Sequence, residues 1–456
     1  MIRAALCKRS QPTGYLRRQL LSLTIPIFIE TLLIMTLGAV DTVMLSRYSD
    51  EAVAAVGVAN QIVMLCFLVF EVINIGTSVL VSQYLGAGLK ERVERVVGVS
   101  LFVNLLIGAF VSLSLYVFAP AILRFMGLNS TLLREGARYL EIVGAFAFFQ
   151  AISLTISATL RASNRAIYPM IIVGIVNILN IIGNYALIFG EFGAPPLGVE
   201  GAAISTAASR GIAMTILTVI LFRTTINRFP WSIFHKFPIR ELSNLLKIGL
   251  PSAGEQFSYS SAQIVMTFFI NMLGVEALAA RTYVVNIVMF GYLFCIAISQ
   301  GGAITVGHLV GRGRTQGAFI LGKYVMWRAL LITFALSLLI AIFGRHILSL
   351  LTDNTSIIRI GVGLLWIDVL VEIGRPINIF ATNALRAAGD VNYPFYVGLI
   401  VMWAVQIAGG YLFGIVFGLG VFALWCMIAA DEITRGIIFI RRWWSMKWTG
   451  KTFIGQ

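Results

Sequence analysis

Long apolar segments follow one another along almost the whole chain, and no other feature of the sequence constrains its fold as strongly. The 456 residues are 59% hydrophobic and only 12% charged, which is more apolar surface than a soluble domain can carry. Each segment has the roughly 20 mostly apolar residues that a helix needs to cross a bilayer, and a helix satisfies its backbone groups internally. We therefore predict an all-α polytopic membrane protein with twelve transmembrane helices, near residues 19–40, 56–80, 96–118, 136–158, 168–189, 201–222, 243–268, 284–304, 322–343, 360–383, 394–414 and 420–440.

The basic residues are distributed unevenly between the two sides of the predicted membrane. The formal net charge is +14, and 24 of the 34 Lys and Arg fall on one side, in the two terminal segments and in every second connection. Cytoplasmic loops of membrane proteins collect Lys and Arg. The charge therefore indicates a multi-pass protein of the cell inner (plasma) membrane with both termini in the cytoplasm, and it does not indicate a nucleic acid partner.

The second half of the sequence repeats the first at a constant offset. "IPIFIETLL" and "LPSAGEQFS" each place a proline four residues before a glutamate, and the two copies are related by an offset of 225, since 251 − 26 and 255 − 30 agree. "LRASNRAIYP" at 160 and "LRAAGDVNYP" at 385 keep this offset, as do Asn129 and Asn354, which we expect to cap the helices that follow them. An even number of helices per half makes the halves parallel repeats. We predict an N-lobe at 1–225 with helices 1–6, a C-lobe at 226–456 with helices 7–12, and a linker at about 223–242.

Polar side chains inside the first and fifth predicted spans form one candidate site. A charged side chain in the bilayer centre costs ~2.5–3.5 kcal/mol on insertion scales, so it indicates function by default. Glu30 and Asp41 lie 11 residues apart, close to three helical turns, and therefore point to one face. Asn177, Asn180 and Asn184 form a polar stripe on the fifth span. Carboxylate, amide and hydroxyl oxygens suit Na⁺, and a desolvated carboxylate could carry H⁺ instead, so both ions stay open.

The second half carries its own intramembrane charges. Asp368, Glu372 and Arg375 follow one another at i, i+4 and i+7, on one helix face, and could form either a self-neutralised structural triad or an ion relay. Glu255 precedes Gln256 in the polar run "QFSYSSAQ", which suggests a water-filled cavity. Asp431 and Glu432 form an acid pair near a predicted membrane surface, and no His or Ser stands nearby in sequence to make an enzyme site.

Five stretches of the chain stand out: "GAVDTVMLSRYSDEAVAAVGVANQ", "LRASNRAIYP", "LRAAGDVNYP", "NIIGNYALIFG" and "PPLGVEGAAISTAASR". They resemble the multidrug and toxic compound extrusion (MATE) family of bacterial transporters. "GAVDTVMLSRYSDEAVAAVGVANQ" resembles the first helix and loop of that family, and "LRASNRAIYP" and "LRAAGDVNYP" resemble its inner loops. "NIIGNYALIFG" and "PPLGVEGAAISTAASR" resemble its fifth and sixth helices. The resemblance covers the whole chain. It implies a V-shaped pair of six-helix lobes and secondary-active export of organic cations and drugs, driven by entry of Na⁺ or H⁺. In transporters built from such repeats the two halves rock about a substrate near the midplane.

The resemblance also assigns candidate site residues. The N-lobe cation-coupling site falls on Asp41, Asn180, Asn184 and Thr206, with possible Na⁺ at the first three, and some members have an aspartate where this chain has Asn184. The paired glutamates suggest a shared cavity that suits a cationic substrate. The cavity or substrate candidates are Glu30, Glu255, Gln256, Asp368, Glu372 and Arg375.

Other functions fit the sequence less well. A lipid-linked oligosaccharide flippase of the same superfamily is the alternative, although its cavity is strongly cationic whereas the candidates here are mostly acidic. "GAFILGKY" lacks the Ser or Thr of a phosphate-binding loop, so we expect no ATP-driven transport and no cofactor beyond the transported H⁺ or Na⁺. We expect a transporter rather than an enzyme, acting as a monomer in the lipid bilayer on small-molecule organic cations.

Overall fold

The computed structural model describes residues 14–226 and 237–455, so residues 227–236 of the predicted linker lie outside the described part. Within these ranges the chain is helical and contains no strand. The α-helices are α1 (Gly14–Ser46), α2 (Asp50–Gly86), α3 (Lys90–Phe125), α4 (Ser130–Ala145), α5 (Ala147–Ala162), α6 (Ile167–Phe189), α7 (Val199–Thr224), α8 (Ile239–Met272), α9 (Val275–Gly311), α10 (Thr315–Ser349), α11 (Thr355–Ala387), α12 (Asn392–Val401) and α13 (Gly420–Trp444).

Twelve helical elements correspond to the twelve predicted spans. Eight are long and apolar enough by themselves to cross a membrane, and α4 and α5 together form a ninth, bent by 48° at Phe146. The α12 span continues through two π-helical segments, Met402–Ala408 and Tyr411–Val416. The other three elements are α8, α11 and α13, which carry most of the intramembrane charges of the second half. The predicted all-α architecture is thereby confirmed.

The repeat in the sequence is a repeat of helices. α2 and α9 begin 225 residues apart and also end 225 residues apart. The same holds for the α4–α5 pair and α11. Asn129 accepts a hydrogen bond from the Leu132 amide (3.1 Å) and Asn354 accepts one from the Ser356 amide (2.9 Å), which confirms both predicted caps. α2 and α9 are followed two residues later by Gly88 (φ 76°) and Gly313 (φ 70°), a left-handed backbone that glycine adopts without strain.

The helices pack into two compact units whose boundaries fall inside helices. The described residues of the C-terminal unit are 14–28, 86–88 and 250–455, and those of the N-terminal unit are 29–85, 89–226 and 237–249. The boundaries lie near Pro26 in α1 and Pro251 in α8. A proline inside a helix removes one backbone hydrogen bond and permits a bend, so both boundaries coincide with a weak point of the helix.

Glycine allows the N-terminal parts of α1 and α8 to pack closely against a neighbouring helix within these units. In the N-terminal unit, a Cβ at Gly249 of α8 would lie 2.0 Å from the Val72 carbonyl oxygen of α2. In the C-terminal unit, a Cβ at Gly301 of α9 would lie 2.9 Å from Thr24 Oγ1 of α1. Because 249 − 24 is again 225, the two contacts involve equivalent turns of the repeat, and each unit contains the start of the helix that continues in the other.

Candidate functional site

Three helices of the N-terminal unit bring the predicted coupling residues together. Asn184 of α6 donates its side-chain amide to Asp41 Oδ1 of α1 (2.8 Å) and to Asn180 Oδ1 one turn earlier (3.0 Å). Asn180 in turn donates to Thr206 Oγ1 of α7 (3.3 Å). Residues from three distant parts of the sequence therefore form one continuous chain of hydrogen bonds, which we call the Asp41 chain.

The Asp41 chain runs from the interior of the unit toward an accessible carboxylate. Asn180 and Asn184 are 2% and 1% exposed, whereas Asp41 is half-buried. The third amide of the stripe, Asn177, donates to the Leu33 carbonyl oxygen (2.7 Å), so it holds α6 against α1 instead of extending the chain. Asn184 Oδ1 is buried and has no hydrogen-bond partner among the described residues, which leaves one oxygen next to Asp41 available for a bound group.

Two further polar side chains stand near Asp41. Tyr139 of α4 donates its hydroxyl to Asn60 Oδ1 (3.3 Å). Arg210 lies one turn beyond Thr206 on α7, and its guanidinium carbon is 5.4 Å from the centre of the Phe67 ring. Both Tyr139 and Arg210 interact electrostatically with Asp41. A cation and a phenol thus belong to the same site, and the sequence analysis had assigned neither.

A cavity of about 620 Å³ opens beside this segment of α1, within the N-terminal unit. Its size falls in the range of small-molecule pockets. Tyr185 and Phe189 supply aromatic faces, and Arg47 and Glu191 supply its two charges. The remaining lining is Thr36, Ala39, Val40, Val43, Met44 and Ile181. An apolar wall next to a carboxylate site is suited to an amphipathic molecule.

The paired glutamates are ion-paired with paired arginines. In the N-terminal unit, Arg161 Nη1 lies 2.7 Å from Glu30 Oε1. In the C-terminal unit, Arg386 Nη2 lies 2.5 Å from Glu255 Oε2. The arginines themselves obey the repeat offset of 225, in the "LRA" of each repeat motif. Each glutamate therefore has a cationic partner in its own unit, and its role in a substrate cavity stays a prediction. Gln256, next to Glu255, is exposed.

The C-terminal unit holds a larger buried cluster on α11 and α13. Arg375 Nη1 lies 2.6 Å from Glu372 Oε1, and Arg375 Nη2 lies 3.6 Å from Asp368 Oδ1. On α13, Arg435 is paired with Asp431 and lies 3.3 Å from Glu432 Oε1. The two helices are joined because Asn378 of α11 donates to Glu432 Oε2 (2.7 Å). We call this set the α11–α13 cluster.

The α11–α13 cluster carries more negative than positive charge. Four carboxylates stand against two guanidiniums, a formal excess of two negative charges. Asp368 and Asp431 are 1% and 0% exposed, and both oxygens of Asp368 lack a hydrogen bond within the described residues. Asp431 and Glu432 are thus buried in the unit, and each has a partner in Arg435. Buried carboxylates in excess of their cations must bind protons or other cations.

The partners that the sequence analysis missed shared a detectable signal. Arg161 and Arg386 differ by 225, and so do Arg210 and Arg435. An arginine that recurs at the repeat offset inside or just beyond a span therefore indicates a carboxylate beside it.

Comparison with known proteins identifies the family. The sequence model of the MatE family matches the chain twice, over residues 26–186 and 251–412, and the two matches start at positions related by the repeat offset, since 251 − 26 is 225. The chain is a member of the MATE transporter family. The predicted family resemblance is confirmed, and this family consists of membrane transporters rather than enzymes. The lipid-linked oligosaccharide flippase is not favoured.

MATE relatives cover nearly the full chain. The uncharacterized transporter YisQ of Bacillus subtilis is 41% identical over 433 residues, 95% of this chain and 95% of its own. The probable multidrug resistance protein NorM of Thermotoga maritima is 26% identical over 442 residues, 95% of this chain and 93% of its own. These relatives place this chain among bacterial multi-pass membrane transporters for small molecules.

Solved MATE structures share the fold. The Vibrio cholerae MATE transporter VcmN in its bent form superimposes with a TM-score of 0.87 at 20% identity, covering 95% of this chain and 97% of that one. A MOP superfamily transporter from Pyrococcus furiosus superimposes with a TM-score of 0.84 at 20% identity, covering 94% and 95%. Both support the twelve-helix MATE fold.

Proposed function

We propose that this MATE transporter is a secondary-active antiporter, which exports amphipathic organic cations in exchange for H⁺ or Na⁺ by alternating access. The observation that carries the proposal is the Asp41 chain, which joins a half-buried carboxylate to two buried amides and a hydroxyl. We further propose that it acts as a monomer in the bacterial inner membrane, with both termini in the cytoplasm. The basic loops of the sequence support that orientation.

Competition for one carboxylate is the proposed basis of exchange. Asn184 donates to Asp41 and therefore stabilises its charged form. A coupling ion that neutralises Asp41 removes the charge that would attract a cationic substrate. Binding of the ion and binding of the substrate then disfavour one another, and such a coupling is reciprocal by thermodynamic necessity.

The neighbouring cavity supports an amphipathic substrate. Its wall is mostly apolar and includes the rings of Tyr185 and Phe189. An organic cation gains ~0.5–2 kcal/mol from the face of an aromatic ring, in addition to burial of its apolar atoms. Glu191 provides a carboxylate in the lining, with Arg47 as the opposing charge.

The α11–α13 cluster is the second candidate for the coupling-ion site. Its excess of two negative charges is the observation that favours it. Asp368 and Glu372 would bind H⁺ or Na⁺ there, and their ion-pair partner Arg375 would neutralise the carboxylate charge that remains. We propose the Asp41 chain as the primary site because Asp41 is the more accessible carboxylate.

Transport in liposomes tests the proposal. Purified protein is reconstituted in liposomes loaded with ethidium, and a pH gradient and a Na⁺ gradient are imposed separately. We expect one gradient to drive ethidium movement in the wild type, and Asp41→Asn to reduce the rate at least about tenfold. Asp353→Asn, the same change at an exposed loop position, is the matched control and keeps the wild-type rate.

The outcomes separate the two candidate sites. If Asp41→Asn transports normally while Glu372→Gln does not, the coupling carboxylate belongs to the α11–α13 cluster. If folded wild-type protein moves ethidium under neither gradient, the antiport of this organic cation is refuted. Size-exclusion chromatography of each variant before reconstitution reports whether it is folded.

A further inference from the structure

Arg210 is a cation on the helix at which the Asp41 chain ends. It lies on α7 four residues after Thr206, the last member of the Asp41 chain, and both project from the same helix face. Its guanidinium is held 5.4 Å from the centre of the Phe67 ring. Arg210 Nη1 is buried and has no hydrogen-bond partner within the described part of the chain. The guanidinium therefore packs against an aromatic ring, and one of its nitrogens has donor capacity left over for the carboxylate site.

The equivalent arginine in the second repeat has a carboxylate-binding role. Arg435 corresponds to Arg210 at the offset of 225 and lies on α13. It is paired with Asp431 and lies 3.3 Å from Glu432 Oε1. Position 206, four residues before Arg210, is a threonine where the second repeat has Asp431. Arg210 thus lacks the acid on its own helix that Arg435 has, and Asp41 of α1 is the carboxylate with which it interacts.

We infer that Arg210 is a tethered counter-ion of Asp41, which takes the place of Na⁺ and makes the Asp41 chain a site that exchanges H⁺ but does not bind Na⁺. This inference deepens the proposed function and rests on it, because it takes Asp41 as the coupling carboxylate. Arg210 is accordingly a specificity-determining residue, and it acts on the coupling ion through the charge balance of the site.

The charge balance makes the discrimination large. With Asp41 and Arg210 both ionised, the site has a net charge of zero. Two unit positive charges about 6 Å apart at an effective dielectric constant of about 20 repel strongly enough to weaken binding on the order of 100-fold. The same repulsion acts on a proton, but burial favours the neutral form of a carboxyl group and offsets it. Na⁺ must in addition lose its hydration shell to reach the oxygens of Asn180, Asn184 and Thr206, a cost that does not arise when a proton binds the carboxylate.

Binding of ²²Na⁺ to purified protein in detergent tests the inference without requiring transport. Wild type, Arg210→Met, Arg210→Lys and the double variant Arg210→Met with Asp41→Asn are compared. We expect no Asp41-dependent binding in wild type or Arg210→Lys. Arg210→Met gains a saturable site at least about tenfold tighter than any wild-type binding, up to the 100-fold expected from the repulsion. The gain disappears in the double variant.

Arg328→Met provides the matched control. Arg328 is also an arginine within a span whose guanidinium lies 5.4 Å from an aromatic ring, that of Tyr324, and it is exposed. We expect this variant to bind Na⁺ as the wild type does. Saturable, Asp41-dependent Na⁺ binding in the wild type overturns the inference, and so does a folded Arg210→Met protein that binds no additional Na⁺. If the liposome assay fails while this gain is observed, the antiport proposal is lost and the role of Arg210 in ion discrimination stands.

Discussion

The Glu30–Arg161 ion pair makes a prediction about stability that its repeat copy can check. Glu30 and Arg161 have side chains that are 6% and 20% exposed, so the carboxylate is the more deeply buried partner. Arg161→Met leaves a buried carboxylate without its cation, whereas Glu30→Gln leaves a guanidinium that partly reaches water. Loss of one partner of a buried pair costs about 3–5 kcal/mol. We therefore expect Arg161→Met to be less stable than Glu30→Gln.

A double-mutant comparison by thermal unfolding in detergent measures these effects. We expect the double variant Glu30→Gln with Arg161→Met to unfold at a higher temperature than Arg161→Met alone, because it leaves no buried charge. In the repeat copy, Arg386→Met should show the same order with a smaller loss, since Glu255 is 15% exposed and can be partly hydrated. A double variant less stable than both single variants would refute the reasoning.

Three further predictions concern packing, capping and the site. Gly249→Ala places a methyl group 2.0 Å from the Val72 carbonyl oxygen and should abolish a monodisperse size-exclusion peak. The control Gly38→Ala, with no atom within 4 Å of the added methyl group, should keep that peak. Equal peaks for the two variants would contradict the close packing. Asn354→Ala removes a helix cap that accepts hydrogen bonds from two backbone amides, and it should lower the free energy of unfolding by about 1 kcal/mol. An unchanged midpoint in thermal unfolding would count against the cap. Asn184→Ala disconnects Asp41 from the Asp41 chain and should slow ethidium transport at least about tenfold in liposomes, so wild-type rates would exclude the chain from coupling.

Sequence reasoning recovered the helical architecture because the bilayer leaves few alternatives. Apolar length predicted twelve spans, and the offset of 225 predicted a repeat that the helix bounds of α2 and α9 reproduce. The assembly of Asp41, Asn180, Asn184 and Thr206 required the family resemblance, since these residues lie on three helices and spacing along the chain does not bring them together.

Partners across helices were the part that spacing could not supply. Helical periodicity places Asp368, Glu372 and Arg375 on one face, and their ion pairs agree with it. It gives no access to the hydrogen bond from Asn378 to Glu432, because the register between α11 and α13 is set by tertiary packing. For the same reason the pattern of the paired glutamates does not reveal the arginine against which each of them lies in its own unit.

The two repeats suggest a final test, in which the first is given a residue of the second. Thr206→Asp places an acid four residues before Arg210, as Asp431 stands before Arg435. We expect the new carboxylate to draw the guanidinium away from Asp41 by the same i, i+4 pairing, while it still accepts from Asn180. The site then holds two carboxylates against one guanidinium, so ²²Na⁺ binding that depends on Asp41 should appear, as in Arg210→Met. Thr206→Asn, of nearly the same size but uncharged, should leave Na⁺ binding absent. A folded Thr206→Asp protein that binds no Na⁺, while Arg210→Met does, would show that Arg210 and Arg435 correspond in position but not in function. Arg210 would then exclude Na⁺ by its volume instead of its charge.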